Sequence, residues 1–174
     1  MATNFPLCAT CILAMFAFTT ITASCPSKVK KLTVYIQDVA PGAPNATSIV
    51  VTGDPSTFSF GTIIVSDDPL TIGVERNSTE IGRAQGIYVV SSKDGLNYFL
   101  SASFVFNNNV FNGSTLEIEG DDSRLSEVRE YAITGGTRKF RGATGYVTFQ
   151  TVSSDPSTKY SVRRCDLKFR YGNI

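Results

Sequence analysis

The chemistry open to this chain rests on carboxylates, arginines and tyrosines, because its 174 residues include neither histidine nor tryptophan. Without histidine there can be no Ser-His-Asp triad, no Cys-His dyad and no histidine-based metal centre. There is no P-loop, and the segment GRAQG lacks the dinucleotide fingerprint and its strand-to-helix setting. We therefore expect neither a metal nor a cofactor.

Asp38 ends an apolar row in the segment KLTVYIQDV. Counting by twos places Leu32, Val34, Ile36 and Asp38 on one face of a strand. A carboxyl group in an apolar cavity has a raised pKa, because desolvation disfavours its charged form, and it can then donate a proton. Alternatively, Asp38 ends the strand and accepts backbone hydrogen bonds from the following turn. The residues alone leave both interpretations open.

Asp122, Arg129 and Tyr88 are further candidates, each with a structural alternative. Asp122 follows a predicted strand and a glycine, where a role in a turn is usual. Arg129 lies mid-strand in EVREYAI, on the face of Tyr131, and its ordinary role would be a cross-strand ion pair on a solvated face. Tyr88, in GIYVV, could donate to a ligand oxygen or simply pack.

The elements that must position these residues are strands. Short β-branched or aromatic runs alternate with the turn signals GDPS, DDP, KDG, NNN, GDD, TGG and SSDPS, and no segment has a sustained helical period. The run NYFLSASFVF is apolar on its even face and half apolar on its odd face. A closed barrel that also packs against another subunit would bury both faces. We predict an all-β domain, one antiparallel sheet that closes on itself.

Composition and the N-terminus indicate a secreted protein. Hydrophobic residues make up 42%, charged residues 18%, and the net charge is +1, which favours a soluble globule and gives no basic patch for nucleic acid. Residues 1–24 contain no Asp, Glu, Lys or Arg, and their apolar segment CILAMFAF has the length of a signal-peptide core. We expect a secretory signal at 1–24 and one domain at 25–174, with no membrane span.

The cysteines and the glycosylation sequons agree with secretion. Cleavage would leave Cys25 and Cys165, which in an oxidising compartment most simply form one disulfide; two buried thiols are the alternative. Three N-x-S/T sequons in polar contexts are predicted glycosylation sites: Asn45, Asn77 and Asn112.

The ordered motifs DDPLT, GRAQG, GSTLE and RE...GGT..FR.A.GY resemble those of the plant dirigent proteins over nearly the whole chain after the leader. This resemblance implies an eight-stranded antiparallel β-barrel of the allene oxide cyclase-like type, assembled as a homotrimer and secreted to the apoplast. A ligand cavity would lie inside each barrel. Asp38, Asp122 and Arg129 would be its catalytic residues and Tyr88 would bind substrate.

The resemblance also implies a function. We expect the function of a dirigent protein, which holds phenoxy radicals, made from a monolignol such as coniferyl alcohol by a separate laccase or peroxidase, and fixes which faces couple. Pterocarpan synthase-like members instead dehydrate an isoflavanol through a quinone methide. A third alternative is a non-catalytic wall or defence protein that binds phenolics. Gln37 replaces a frequent histidine of the family, Arg138 follows GGT, and Thr144 replaces an arginine, which leaves the substrate open.

Overall fold

The computed structural model of the chain describes residues 29–53 and 58–172. Nine strands and one short 3-10 helix, Arg138–Phe140, are assigned within these ranges. The strands are β1 (Lys30–Val39), β2 (Ser48–Thr52), β3 (Ile63–Thr71), β4 (Glu80–Val90), β5 (Asn97–Phe106), β6 (Thr115–Ser123), β7 (Val128–Gly136), β8 (Thr144–Asp155) and β9 (Tyr160–Arg170). No helix in the described ranges is long and apolar enough to cross a membrane.

Eight of the strands close into a ring. Antiparallel pairs join them in the order β1-β9-β8-β7-β6-β5-β4-β3, and β3 pairs back with β1 through Tyr35–Thr71 and Ile36–Leu70. The other half of β3 pairs with β2, so β2 continues the ring where β1 ends. The predicted closed, eight-stranded antiparallel barrel is confirmed.

The barrel interior is built from the alternate residues that the sequence pattern assigns to it. Val34 and Ile36 are buried, and Asp38 follows them on the same face with 7% of its surface exposed. On β5, Phe104 is fully buried, whereas Phe99 on the outer face is 43% exposed. The period of two therefore predicts correctly which face of β1 and of β5 forms the core.

Aromatic rings fill the end of the barrel away from Asp38. Phe140, on the 3-10 helix, lies with its ring centroid 5.3 Å from that of Phe106 and 5.7 Å from that of Phe169. Phe169 pairs with Lys30, at the start of β1, while Asp38 lies eight residues along the same strand. Asp38 and the polar side chains around it therefore lie at the opposite end of the barrel from these aromatic rings.

Two predicted turns are wrong, because both segments lie inside strands. Asp67–Pro69 belongs to β3, and Gly120–Asp122 belongs to β6. Proline lacks an N–H and is normally excluded from a central strand. Pro69 is accommodated because β3 changes partner there: its pairing with β2 ends at Ser66 and its pairing with β1 begins at Leu70.

Several predictions concern residues outside the described ranges. The signal peptide at 1–24 and Cys25 both lie there. Cys165 is fully buried on the inner face of β9, and its disulfide with Cys25 stays a prediction. The three sequon asparagines, Asn45, Asn77 and Asn112, are all exposed in connections between strands, and their glycosylation also stays a prediction.

Candidate functional site

A cavity of about 230 Å³ opens at the polar end of the barrel. Its wall combines carboxylates and arginines with tyrosines and apolar side chains. The lining residues are Asp38, Ala40, Pro41, Ser48, Phe58, Ile64, Ser66, Tyr88, Tyr98, Asp122, Arg124, Arg129 and Arg163. All four residues predicted to act on a ligand, Asp38, Tyr88, Asp122 and Arg129, are thus brought together from four different strands.

Asp38 forms one side of the cavity together with Arg163. Arg163 Nη2 donates to Asp38 Oδ2 at 2.8 Å, and the Ser161 hydroxyl donates to the same oxygen at 3.2 Å. Burial works against the charge of Arg163, but the neighbouring carboxylates, Asp38 foremost, raise the pKa of the guanidinium above its usual value. Arg163 therefore stays a cation that holds Asp38 in place.

Asp122 and Arg129 form the second acid and arginine pair. Arg129 Nη1 lies 3.6 Å from Asp122 Oδ1, and Arg129 Nη2 donates to the Thr151 hydroxyl at 3.2 Å. Asp122 is 6% exposed, so it is a buried strand residue and not the turn residue that its GDD context suggests. The contact with Arg129 is longer than a hydrogen bond, so both groups keep capacity for a ligand.

Two tyrosines supply aromatic walls. Tyr88 comes from β4 and Tyr98 from β5, and both line the cavity. Burial raises the pKa of the Tyr88 hydroxyl above its usual value, so this group remains a proton-bearing donor. Arg124 covers Tyr98 from the rim, with its guanidinium carbon 5.8 Å from the ring centroid.

Asp68 is a third inward acid, which the sequence interpretation missed. It lies on the inner face of β3 between Ser66, which lines the cavity, and Leu70, which is fully buried. Burial and the nearby charge of Asp38 raise the pKa of Asp68 to about 7. The period of two through Leu70 could have revealed it, but the DDP sequence favoured a turn.

Arg163 was also missed, although the same periodicity contains it. Cys165, Leu167 and Phe169 form the inner row of β9, and two residues before Cys165 is Arg163. An arginine at the end of an apolar row, like the acid at the end of the β1 row, is the signal that would have found it.

Gln37 is excluded from the cavity. Its side chain lies on the outer face of β1 and is nevertheless 4% exposed. Its amide donates to the Thr71 hydroxyl at 2.8 Å and accepts from the Tyr160 hydroxyl. Gln37 ties the β3–β4 connection to the barrel wall and does not face a ligand.

Comparison with known proteins agrees with this architecture. A family model described as Dirigent-like protein matches residues 29–169. The chain is 37% identical over 143 residues to Dirigent protein 1 of Arabidopsis thaliana, covering 79% of each protein. It is 39% identical over 134 residues to Pterocarpan synthase 1 of Glycyrrhiza echinata, covering 74% of this chain and 70% of that protein.

A solved structure supports the same assignment. The pterocarpan synthase dirigent protein GePTS1 superposes with a TM-score of 0.75 at 35% identity, covering 87% of this chain and 90% of the other. The chain belongs to the dirigent-like protein family.

Proposed function

We propose that this protein binds a phenolic alcohol, promotes its dehydration to a quinone methide and directs the ring closure that follows. The observation that carries the proposal is the pair of acid and arginine couples, Asp38–Arg163 and Asp122–Arg129, on the wall of one cavity beside Tyr88. Acids and a hydroxyl donor supply proton transfer at two ends of a ligand. The similarity to pterocarpan synthases supports the same chemistry.

The size of the cavity supports a single ligand. About 230 Å³ lies below the range of roughly 300–1,000 Å³ usual for drug-sized ligands. One compact polycyclic phenol suits this volume better than two phenylpropanoid radicals side by side. The aromatic walls of Tyr88 and Tyr98 would stack on its rings and fix their orientation.

The proposed steps conserve protons. Asp122 protonates the departing hydroxyl group, the C–O bond breaks with its electron pair on oxygen, and water leaves. Asp38 accepts the proton of the phenol conjugated with that carbon, which gives the quinone methide. A hydroxyl on the second ring then attacks the electrophilic carbon and returns a proton to Asp122, while Asp38 reprotonates the carbonyl oxygen. Arg129 and Arg163 bind the oxygens on which negative charge develops.

Stereoselective radical coupling is the second candidate function. It is favoured by the similarity to curated dirigent proteins over 79% of the chain and by the aromatic cavity wall. In this case a laccase or peroxidase would generate the radicals, the cavity would orient them, and the same acids would assist cyclisation. In either case we propose secretion to the apoplast as a homotrimer, in keeping with the predicted leader.

Two incubations separate the candidates. An isoflavanol with a free hydroxyl on its second ring, incubated without oxidase, should yield a single pterocarpan enantiomer by chiral chromatography. Coniferyl alcohol with laccase should yield racemic pinoresinol if dehydration is the function. An enantiomeric excess in the second incubation, with no turnover in the first, would replace our proposal by radical coupling. Phenol binding with neither result would leave a binding protein only.

Asparagine variants test the acids. Asp38→Asn and Asp122→Asn should each lower kcat by about 100-fold or more, because each removes a proton-transfer group while conserving shape. Asp121→Asn is the matched control, since Asp121 is adjacent in sequence but exposed on the outer face of β6. Unchanged turnover in both inner variants would refute the assignment.

A further inference from the structure

Two buried donors beside Asp122, Arg129 Nε and Tyr131 Oη, have no hydrogen bond of good geometry among the described residues. The Tyr131 hydroxyl is near enough to the Asp122 carboxylate for a side-chain hydrogen bond between them to raise the pKa of the tyrosine. Tyr131 is only 1% exposed. Its ring already packs against Phe149, at a centroid distance of 4.6 Å, so phenylalanine would fill the same space. Buried polar groups without a partner are costly and uncommon in folded proteins. The Tyr131 hydroxyl therefore calls for an explanation other than packing.

The strand register brings both donors to Asp122. Arg129 and Tyr131 are two residues apart on β7 and share its inner face. The β6–β7 pairing of Ile118 with Ile133 and Glu119 with Ala132, continued along the strands, sets Gly120 opposite Tyr131 and Asp122 opposite Arg129. A Cβ at Gly120 would lie 3.3 Å from the Tyr131 ring, so the missing side chain at this position lets the tyrosine lean towards β6.

Burial raises the pKa of the Tyr131 hydroxyl, and the negative charge of the Asp122 carboxylate raises it further. Two donors and one acceptor thus lie together, with Asp122 and Arg129 on the cavity wall and Tyr131 buried beside them. A carbonyl oxygen could satisfy the donors but would face Asp122 without a proton to share. A hydroxyl oxygen can accept from both donors and donate to the carboxylate.

We propose that Arg129 Nε, Tyr131 Oη and the Asp122 carboxylate form a subsite for one hydroxyl oxygen, occupied by water in the free protein and by an alcohol of the ligand in the complex. Resting on the proposed function, that alcohol is the one that leaves. In the reactive complex Asp122 is protonated and transfers that proton to the alcohol oxygen, while the C–O bond breaks with its electron pair on the same oxygen. The resulting water molecule accepts from Tyr131 and Arg129 and donates to the Asp122 carboxylate. Tyr131 is then a further catalytic residue.

Crystals of the ligand-free protein give the first test. A high-resolution map should show an ordered water within hydrogen-bond distance of Arg129 Nε and Tyr131 Oη. In Tyr131→Phe crystals that water should be lost or displaced. A map of the wild-type protein with no ordered oxygen at this position would overturn the proposal, whatever reaction the protein performs.

A matched ligand pair gives the second test. Para-hydroxybenzyl alcohol and para-cresol differ by one hydroxyl group, and calorimetric titration compares their affinities. One hydrogen-bonded hydroxyl should make the alcohol bind about fivefold more tightly to the wild type. Tyr131→Phe should reduce this ratio to about one, while Tyr146→Phe, which changes a tyrosine on the outer face of β8, should keep it. An unchanged ratio in Tyr131→Phe would overturn the proposal.

The two proposals fail differently. If the wild type does not turn over an isoflavanol, the proposed dehydration is wrong, while the water position and the affinity ratio still decide whether the hydroxyl subsite exists. If the wild type does turn it over and Tyr131→Phe retains full kcat, the dehydration stands and the catalytic role of Tyr131 is refuted.

Discussion

Asp68 is a buried acid whose ionisation depends on its surroundings. It is 2% exposed, accepts a hydrogen bond from the Thr47 hydroxyl and has a pKa of about 7. The charged groups that act on its pKa come from three strands: Asp38 from β1, Arg83 from β4 and Arg163 from β9. Burial outweighs the effect of the two arginines on the pKa, so the Asp68 carboxyl group keeps its proton up to about pH 7.

This shift makes stability depend on pH. The unfolded chain releases the Asp68 proton at about pH 4, whereas the folded protein keeps it up to about pH 7, so raising the pH through this window favours unfolding. The free energy of unfolding of the wild type minus that of Asp68→Asn should fall by up to about 4 kcal/mol between pH 4 and pH 8. Urea titrations at several pH values measure this difference.

Asp67→Asn is the control for that series. Asp67 is exposed next to Asp68 in sequence, and its hydrogen bond from Arg83 lowers its pKa. Its ionised form is therefore favoured in the folded state, and the wild-type minus Asp67→Asn difference should rise slightly with pH. A flat Asp68 difference would show that its carboxyl group is ionised in the fold at neutral pH.

At the scale of the elements, the position of Tyr88 in the cavity wall depends on how closely β4 and β5 approach each other at Gly86, two residues before Tyr88. Gly86 pairs with Ala102, and both follow the inner rows of their strands. An added Cβ at Gly86 would lie 2.5 Å from the Ser101 carbonyl oxygen and 2.6 Å from the Ala102 Cβ. The second glycine of GRAQG is therefore required by strand packing and not by a nucleotide.

Gly86→Ala tests this packing. It should lower the free energy of unfolding by about 2 kcal/mol, because the two strands must separate, and it should weaken ligand binding by displacing Tyr88. Chemical denaturation and a phenol titration measure the two effects. Gly172→Ala, where an added Cβ meets nothing within 4 Å, should change stability by less than about 0.5 kcal/mol. Equal stabilities of the two variants would contradict the account.

At the scale of the whole molecule, the outside of the barrel carries an apolar row. Ile49 pairs with Val65, and Val65 pairs with Ile87, so three large side chains lie side by side across β2, β3 and β4. They are 59%, 38% and 40% exposed. A contiguous apolar row on a protein surface is typical of a contact with another subunit. It supports the proposed homotrimer.

Ile87→Asp should therefore convert the assembly to monomers, because three buried carboxylates at one interface would repel one another and lack solvent. Light scattering after gel filtration measures the mass. Leu125→Asp is the control, since Leu125 is 77% exposed in the β6–β7 connection, away from this row. A wild-type mass of one chain would reject the trimer, and a trimeric Ile87→Asp would place the interface elsewhere.

The sequence by itself determined the fold class and the apolar faces of β1 and β5, and it set Asp38 in line with the apolar row of β1 without deciding whether it ends the strand or faces a cavity. Alternation is a local property, because successive side chains of a strand point to opposite faces. The DDPLT, GRAQG and RE...GGT motifs likewise identified the family and, through it, the inward positions of Asp122, Arg129 and Tyr88.

Only the tertiary structure decided which residues act as partners. The change of β3 from β2 to β1 admits Pro69 inside a strand, which no local turn preference could anticipate. Barrel closure places Arg163 against Asp38, 125 positions away in sequence, and the β6–β7 register places Tyr131 beside Asp122. Pairing between distant strands depends on the closure of the whole ring, and this is why the acid and arginine couples, and the donors without partners, could be found only in the folded barrel.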